Sequence, residues 1–384
     1  MKKTFYRGIA LFILLEFLNN YLLMRYPGSQ RLNSIAFSHG LYQNKIYLEI
    51  VLGALILISC VRLFRSGKVV VPMLFIILGI ASYVCFNFII TAERFFQQPK
   101  HFIMTSVAQN KVDTDKLVIG ITVHGISKAY PVHYIMYHHQ VPDTLGSQPI
   151  IVTYCPLCRT GRVYDPHVNG KHETFRLVGV NHSNAMIEDF TTKSWWSQET
   201  GVCIAGKLKG TTLTEIPSYN MTLKQWIGLH PNTTIMQPDP AYLNRYRTVD
   251  DYRVDNGNET GDWKDQTFVV GVIVDSSATA YQWNQLVKNR VINDTVGSTS
   301  IMVVVANDNK SFFVFENPST SPVIYRSDTL VVAYRDYMFS GVPLTEGDAP
   351  LKPVRAYREK WFSWKYAHPQ TTRYSANYLL NSEK

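Results

Sequence analysis

The sequence predicts three N-terminal transmembrane helices followed by a mainly-β (α+β) soluble region built from two homologous lobes. Three observations lead there. From Val69 to Ala92 one Lys-free, Arg-free and acid-free run is almost wholly apolar. Residues 117–154 align without gaps on 268–305. The pattern Trp226-x-x-x-His230-Pro231-x-Thr233-Thr234 returns as Trp364-x-x-x-His368-Pro369-x-Thr371-Thr372.

Residues 1–100 are read as the anchor, with spans at about 8–24, 46–62 and 70–91. A spanning helix needs about 20 apolar residues because the hydrocarbon core is roughly 30 Å thick. The third span meets this outright, and the second carries Glu49 close to one end. The first holds Glu16, Asn19 and Asn20, which inside a bilayer face other helices. Lys2, Lys3 and Arg7 resemble a signal-peptide n-region, but no small-x-small cleavage site follows, so the helix is read as retained. Lys and Arg of short loops stay cytoplasmic. With Arg62, Arg65 and Lys68 between the second and third spans, the N-terminus is expected in the cytoplasm and the C-terminal region outside, periplasmic or on the outer face. Sequons at Asn181, Asn220, Asn232, Asn258, Asn293 and Asn309 fit that placement.

The formal net charge is +9, but residues 1–100 hold eleven basic residues against three Glu, leaving a near balance of 27 and 26 beyond them. The basic character therefore belongs to the membrane flanks, and no nucleic-acid partner is expected. The expected partners are the lipid bilayer and another membrane or extracytoplasmic protein.

Lobe one is read as 101–242, a linker as 243–265, rich in Asp, Asn and Gly, and a degenerate second lobe as 266–384. Val118, Gly120, Ala129, Tyr130, Asp143, Gly146 and Val152 recur as Val269, Gly271, Ala280, Tyr281, Asp294, Gly297 and Val303. Leu213-Thr214-Glu215 echoes Leu344-Thr345-Glu346 between the longer blocks. Each lobe opens with a strand (117–123, 268–274), a helix-like segment and a second strand (150–154, 301–305). Asn169-Gly170 and Asn307-Asp308-Asn309 read as hairpin connections.

Duplication supplies an internal control: shared positions are architectural, and unshared ones can carry chemistry. Lobe one has Tyr154-Cys155-Pro156-Leu157-Cys158-Arg159-Thr160-Gly161 after its second strand, where lobe two has Val305 to Ser311 and neither thiol. His138 and His139 likewise face Asn289 and Arg290. A Cys-x-x-Cys pair admits three readings: a redox dithiol, two thiolates of a copper-type soft-metal site completed by His138 and Met186, or an inert structural disulfide. Arg159 and Arg162 are placed to stabilise a thiolate, and Cys203 is a third thiol. Asn184, Met186, Asp189, Trp195, Trp196 and Gln198 form a second polar and aromatic stretch, of which Asn184, Asp189, Trp196 and Gln198, with Arg159, are candidate substrate-binding residues.

Tyr130-Pro131, Asp143, Tyr154-Cys155-Pro156-Leu157-Cys158-x-Thr160-Gly161, Asn184-x-Met186, Asp189, Thr192-x-Ser194-x-Trp196-x-Gln198-x-x-Gly201 and Trp226-x-x-x-His230-Pro231 resemble the DUF3179 family, a domain of unknown function, over roughly 115–240. Gln140 and Pro142 depart from its pattern, which holds a more acidic stretch before Asp143. Some members are thought to carry selenocysteine at the Cys pair, so the resemblance implies redox chemistry without naming a reaction. The expectation is a membrane-tethered protein with thiol–disulfide activity at Cys155 and Cys158. The alternatives are a soft-metal module (Cys155, Cys158, His138, Met186) and a scaffold with an inert disulfide. No cofactor other than a copper-type metal is suggested.

Overall fold

The computed structural model describes residues 2–65, 67, 69–250, 263–319, 323–326 and 329–375. Most of the expected linker, with Lys68 and Asn258, lies outside the described residues. The chain divides into two compact units, Met1–Gln97 with His167–Leu213, and Gln98–Pro166 with Thr214–Lys384.

In the first unit, helices α1 (Lys2–Leu23), α2 (Ile35–Phe64) and α3 (Val70–Val84) come first, and α3 runs on through a π-helical turn, Cys85–Ile89. Among the described residues two helices, not the expected three, are long and apolar enough to cross a membrane: Ile35–Phe64 and Val70–Ile89. The expected first span falls in α1, whose polar Glu16, Asn19 and Asn20 keep it out of that set. All three side chains are buried. Glu16 Oε2 takes the Lys45 ammonium at 2.8 Å and the Asn87 amide at 2.7 Å. Lys45 also reaches Asn87 Oδ1 at 2.5 Å and Glu49 at 3.2 Å. The acid of α1 is thus neutralised by α2 and bonded by the π-helical turn, which is how a charge survives in an apolar bundle.

The rest of this unit is an antiparallel sheet in the order Cys203–Ala205, Trp195–Ser197, Asn184–Asp189, Phe175–Asn181. It is entered through the hairpin His167–Val168 and Lys171–His172. The connecting Asn169 and Gly170 both have positive φ, 51° and 76°, as a type I′ turn requires. Leu23 of α1, with Ile35 and Tyr42 of α2, packs against Val178, Met186 and Trp195 of the sheet.

In the second unit the chain runs through β1 (Leu117–Val123), β2 (Ile126–Pro131), α4 (Val132–His138), β3 (Gln140–Leu145), β4 (Gln148–Cys155) and β5 (Thr160–Tyr164). It returns after residue 213 as β6 (Ser218–Thr222), α5 (Leu223–Leu229), β7 (Thr234–Met236) and α6 (Leu243–Asp250). Strand β6 lies antiparallel on β1, and β7 runs parallel along β2. Strands β3, β4 and β5 form a separate meander. Helix α6 occupies the start of the expected linker because Tyr246 has a core to enter: its ring meets Tyr134 at 4.7 Å and its hydroxyl meets His138 Nε2 at 2.5 Å.

The later half follows the same path. It has β8 (Phe268–Val274), β9 (Ser277–Gln282), α7 (Trp283–Asn289), β10 (Val291–Val296), β11 (Thr299–Val305), β12 (Phe312–Glu316), β13 (Ala356–Lys360), α8 (Trp361–Ala367) and β14 (Thr372–Arg373). Strand β13 lies antiparallel on β8, and β14 runs parallel along β9. A short sheet, Ile324–Arg326, Thr329–Val332 and Arg335–Met338, is added before β13.

The recurring residues have matching jobs. Trp226 donates its indole N–H to Thr233 Oγ1 at 2.9 Å, and Trp364 does the same to Thr371. Each indole lies on a glycine of the central strand. A Cβ on Gly120 would sit 2.2 Å from Trp226, and one on Gly271 2.3 Å from Trp364, so no larger residue fits. Tyr130 and Tyr281 donate to Asp143 and Asp294 at 2.6 and 2.8 Å. The shorter echo does not share this correspondence. Glu215 bridges Tyr164 of β5, whereas the residue bridging Phe315 of β12 is Pro353, not Glu346. One apolar core contains Val118, Met221 and Trp226 together with Met302, Val304 and Phe313.

Candidate functional site

The dithiol lies in the turn from β4 to β5. Cys155 pairs with Thr160 at the end of the ladder, so four residues must turn back on themselves. Arg159 takes a positive φ of 62° and donates its N–H to the Cys155 carbonyl at 2.8 Å. The Cys158 N–H points to Cys155 Sγ at 3.5 Å, and the two sulfurs stand 2.9 Å apart with no disulfide between them. A disulfide needs ~2.05 Å, so less than ~1 Å of movement separates the two states.

Both cysteines are fully buried. The lid comes from the later half of the chain: the Lys360 N–H donates to the Cys158 carbonyl at 2.8 Å. The matching turn of the later half does the converse, with Ser311 Oγ accepting the Thr222 N–H at 3.0 Å. Thr222 and Lys360 are the N-caps of α5 and α8. Each half therefore caps a helix of the other with its own β-turn.

Beside the dithiol is a buried ion network. Arg162 reaches Glu359 Oε1 at 3.0 Å, Glu215 at 3.9 Å, and the Thr160 hydroxyl. Its guanidinium lies 3.3 Å over the Tyr357 ring. Tyr357 donates to Glu215 at 2.7 Å, and Arg355 pairs with the same carboxylate. The corresponding place in the other half is apolar, with Phe313 against Tyr219 at 5.9 Å. Burial opposes the Arg162 charge, but Glu359, Tyr357 and Glu215 more than compensate and hold it charged. Arg162 is thus occupied by carboxylates, whereas among the described residues Arg159, the other arginine proposed for the thiolate, pairs with none.

Tyr154 is pushed up to about 12 by burial, against the opposing pull of Arg159 and Arg358. His139 is lowered to about 3, mainly by burial, and His138 is bonded to Tyr246. Among the described residues, no three His, Cys, Asp or Glu side chains cluster as a metal site. A metal here would rest on the two thiolates and neutral donors.

The second candidate group belongs to the other unit. Asp189 accepts from Thr192 N and Oγ1 at 2.5 and 2.9 Å, Ser194 N at 3.1 Å and Trp196 Nε1 at 3.0 Å. It builds its own turn, and Trp196 is its buried partner. Asn184 Oδ1 accepts the Glu199 N–H at 3.2 Å, and the buried Gln198 donates its own N–H to Ala185. Met186 packs with Leu23, Val178, Trp195 and Ala205. Cys203 is buried there too, its thiol pushed up to about 11 by burial. Glu188, passed over in the sequence, ties the sheet together through Arg176 at 2.7 Å and Trp195 Nε1 at 3.0 Å. Arg176 goes on to Glu93 and Tyr42.

The residues that sequence reasoning missed at the dithiol are Tyr357, Arg358, Glu359 and Lys360. A signal was present: in the aligned stretch Tyr219-Asn220-Met221-Thr222, three charged residues of β13 face three uncharged ones.

The chain belongs to the DUF3179 family. The family model, described as a protein of unknown function, matches residues 97–371. No curated protein and no solved structure matches.

Proposed function

We propose that this member of the DUF3179 family is a membrane-tethered, extracytoplasmic thiol–disulfide redox protein whose working pair is Cys155 and Cys158. The observation that carries the reading is the 2.9 Å approach of the two sulfurs, not joined by a disulfide, in a turn already folded for ring closure. One thiolate attacks a partner's disulfide and displaces one partner thiolate, leaving a mixed disulfide. The other cysteine attacks the protein sulfur of that bond, closes the Cys155–Cys158 disulfide and releases the second partner thiol. Two electrons pass from the dithiol to the partner, and the two cysteine protons end on the released thiols. Because both sulfurs are buried, exchange with a protein requires the Lys360–Cys158 contact to open.

Complete burial also favours a second reading, in which the pair is an inert brace. The soft-metal reading keeps Cys155 and Cys158 but finds His138 engaged with Tyr246 and Met186 in an apolar core.

The family domain is read as two homologous repeats, 101–242 and 266–384, following the anchor 1–100. Matching strand order, matching Trp–Thr bonds and the paired glycines support this. Basic residues between α2 and α3 favour a cytoplasmic loop, which puts the region after α3 outside the cell membrane.

The test is intact-mass spectrometry of the full chain in detergent, with and without alkylation, across thiol–disulfide buffers. A Cys155–Cys158 bond that opens under mild reductant and re-forms supports redox exchange. A metal adduct lost in Cys155→Ser replaces this reading with the metal module. A bond that resists reduction until the chain unfolds leaves the brace.

A further inference from the structure

Among the described residues, two arginines at the dithiol turn pair with no carboxylate. Arg159, inside the turn, donates to the Tyr154 hydroxyl and to Met136 Sδ at 3.5 Å. Arg358, on β13, has its guanidinium 3.8 Å over Trp283 and 4.9 Å over Phe268. It acts electrostatically on both Tyr154 and Arg159. Among the described residues neither arginine pairs with a carboxylate, and Arg358 Nε is buried without a partner. The acid whose field reaches Arg358 is Asp308. Its oxygens are already taken by Thr222 Oγ1, Lys310 N, Ser311 N and Ser311 Oγ.

Two guanidinium groups held together in a partly desolvated place repel one another, and an anion between them removes that cost. Planar aromatic faces hold the Arg358 side chain in place while leaving its N–H edge for a ligand. Burial and Arg159 together draw the Arg358 guanidinium down to about 10, with Tyr154 opposing, the direction expected of a cation lacking its anion. Accessibility points the same way. The thiols are sealed, whereas Pro156, Leu157, Arg159 and Arg358 are half-buried. A small molecule held on these half-buried residues stands at the edge of the dithiol turn.

We propose that Arg159 and Arg358 form an anion subsite at the mouth of the dithiol, so that the disulfide reduced here is a low-mass, carboxylate-bearing one. This rests on the redox reading above and specifies its substrate class. The carboxylate docks on the two arginines, one cysteine thiolate attacks the near sulfur, and the second cysteine resolves the mixed disulfide. Two carboxylate-bearing thiols leave, and the protein keeps the Cys155–Cys158 bond.

The test uses the pre-reduced full chain in a neutral detergent with two disulfides of similar size, dithiodipropionate (anionic) and cystamine (cationic). Each rate is normalised to the rate of the same reagent with the chain unfolded in guanidinium. The expected result is a preference of about tenfold or more for the anion at low ionic strength, shrinking with salt. Arg358→Gln removes the preference, and Arg358→Lys retains most of it. Arg159→Gln gives the same loss should Arg358→Gln fail to fold, and the wild-type comparison needs no variant. Equal normalised rates, or a preference for the cation, overturn the subsite while leaving the redox reading intact. If neither reagent oxidises the folded chain although both oxidise the unfolded one, the redox reading falls and the subsite with it.

Discussion

Arg162 and Glu359 form a buried ion pair at 3.0 Å, although 197 residues separate them in the chain. Neither side chain reaches water, so each charge depends on the other. Removing one partner of a buried pair strands the other and costs about 3–5 kcal/mol, whereas an apolar pair of similar volume is often tolerated. Glu359→Ala is therefore expected to destabilise by that order in denaturant titration and to raise the alkylation rate of Cys158. The double variant Arg162→Met, Glu359→Leu is expected to recover most of the stability. Equal losses in single and double variants would show that the pair is not the unit that matters.

The same logic applies inside the helical bundle. Glu16→Ala leaves Lys45 buried with only the more exposed Glu49 and Asn87. Thermal unfolding in detergent is expected to fall by several degrees, with Glu16→Gln losing less because the Asn87 bond survives. A variant as stable as the parent contradicts the assigned role of Glu16.

Stability is expected to fall as pH drops from about 6.5 toward 4. His368 is lowered to about 4, first by burial and then by Arg162 and Arg355, and His139 to about 3. Each is neutral in the folded chain and takes up a proton on unfolding near pH 6.5, so the unfolded state binds more protons across that window. Urea midpoints measured from pH 7 to 4 should decline, and His368→Gln should flatten the slope. A midpoint rising toward pH 4 reverses the assigned sign.

Gly120→Ala and Gly271→Ala are expected to cost similar amounts, about 2 kcal/mol or more each, since both put a Cβ into an indole. Chemical denaturation checks this. A severe loss at one site and none at the other would count against equivalent halves.

Local pattern made much of the domain legible. The alternating strands at 117–123 and 268–274, the Trp-to-Thr spacing and the Cys turn at a strand end are written within short stretches, because their bonds close over few residues. What was missed depends on partners far along the chain. The family of charges at Glu359 and Arg358 has meaning only once β13 meets the Cys turn. Leu243–Asp250 looked like linker because Tyr246 earns its helix from Tyr134 and His138. Residues 167–213 read as part of lobe one, yet Arg176 and Glu188 fasten that stretch within the unit of the N-terminal helices. Glu16 weakened a span in the sequence, and its neutralising partner lies on another helix.

The lid over Cys158 also has a position in time. Synthesis proceeds from the N-terminus, so Cys155 and Cys158 are made long before the segment bearing Glu359 and Lys360 exists to cover them. Contacts of such long sequence separation form late. A newborn chain thus passes through an interval in which its two sulfurs are open to any oxidant around them. During that interval the pair can meet an oxidant without the Lys360–Cys158 contact having to open, and a chain truncated before β13 never leaves it.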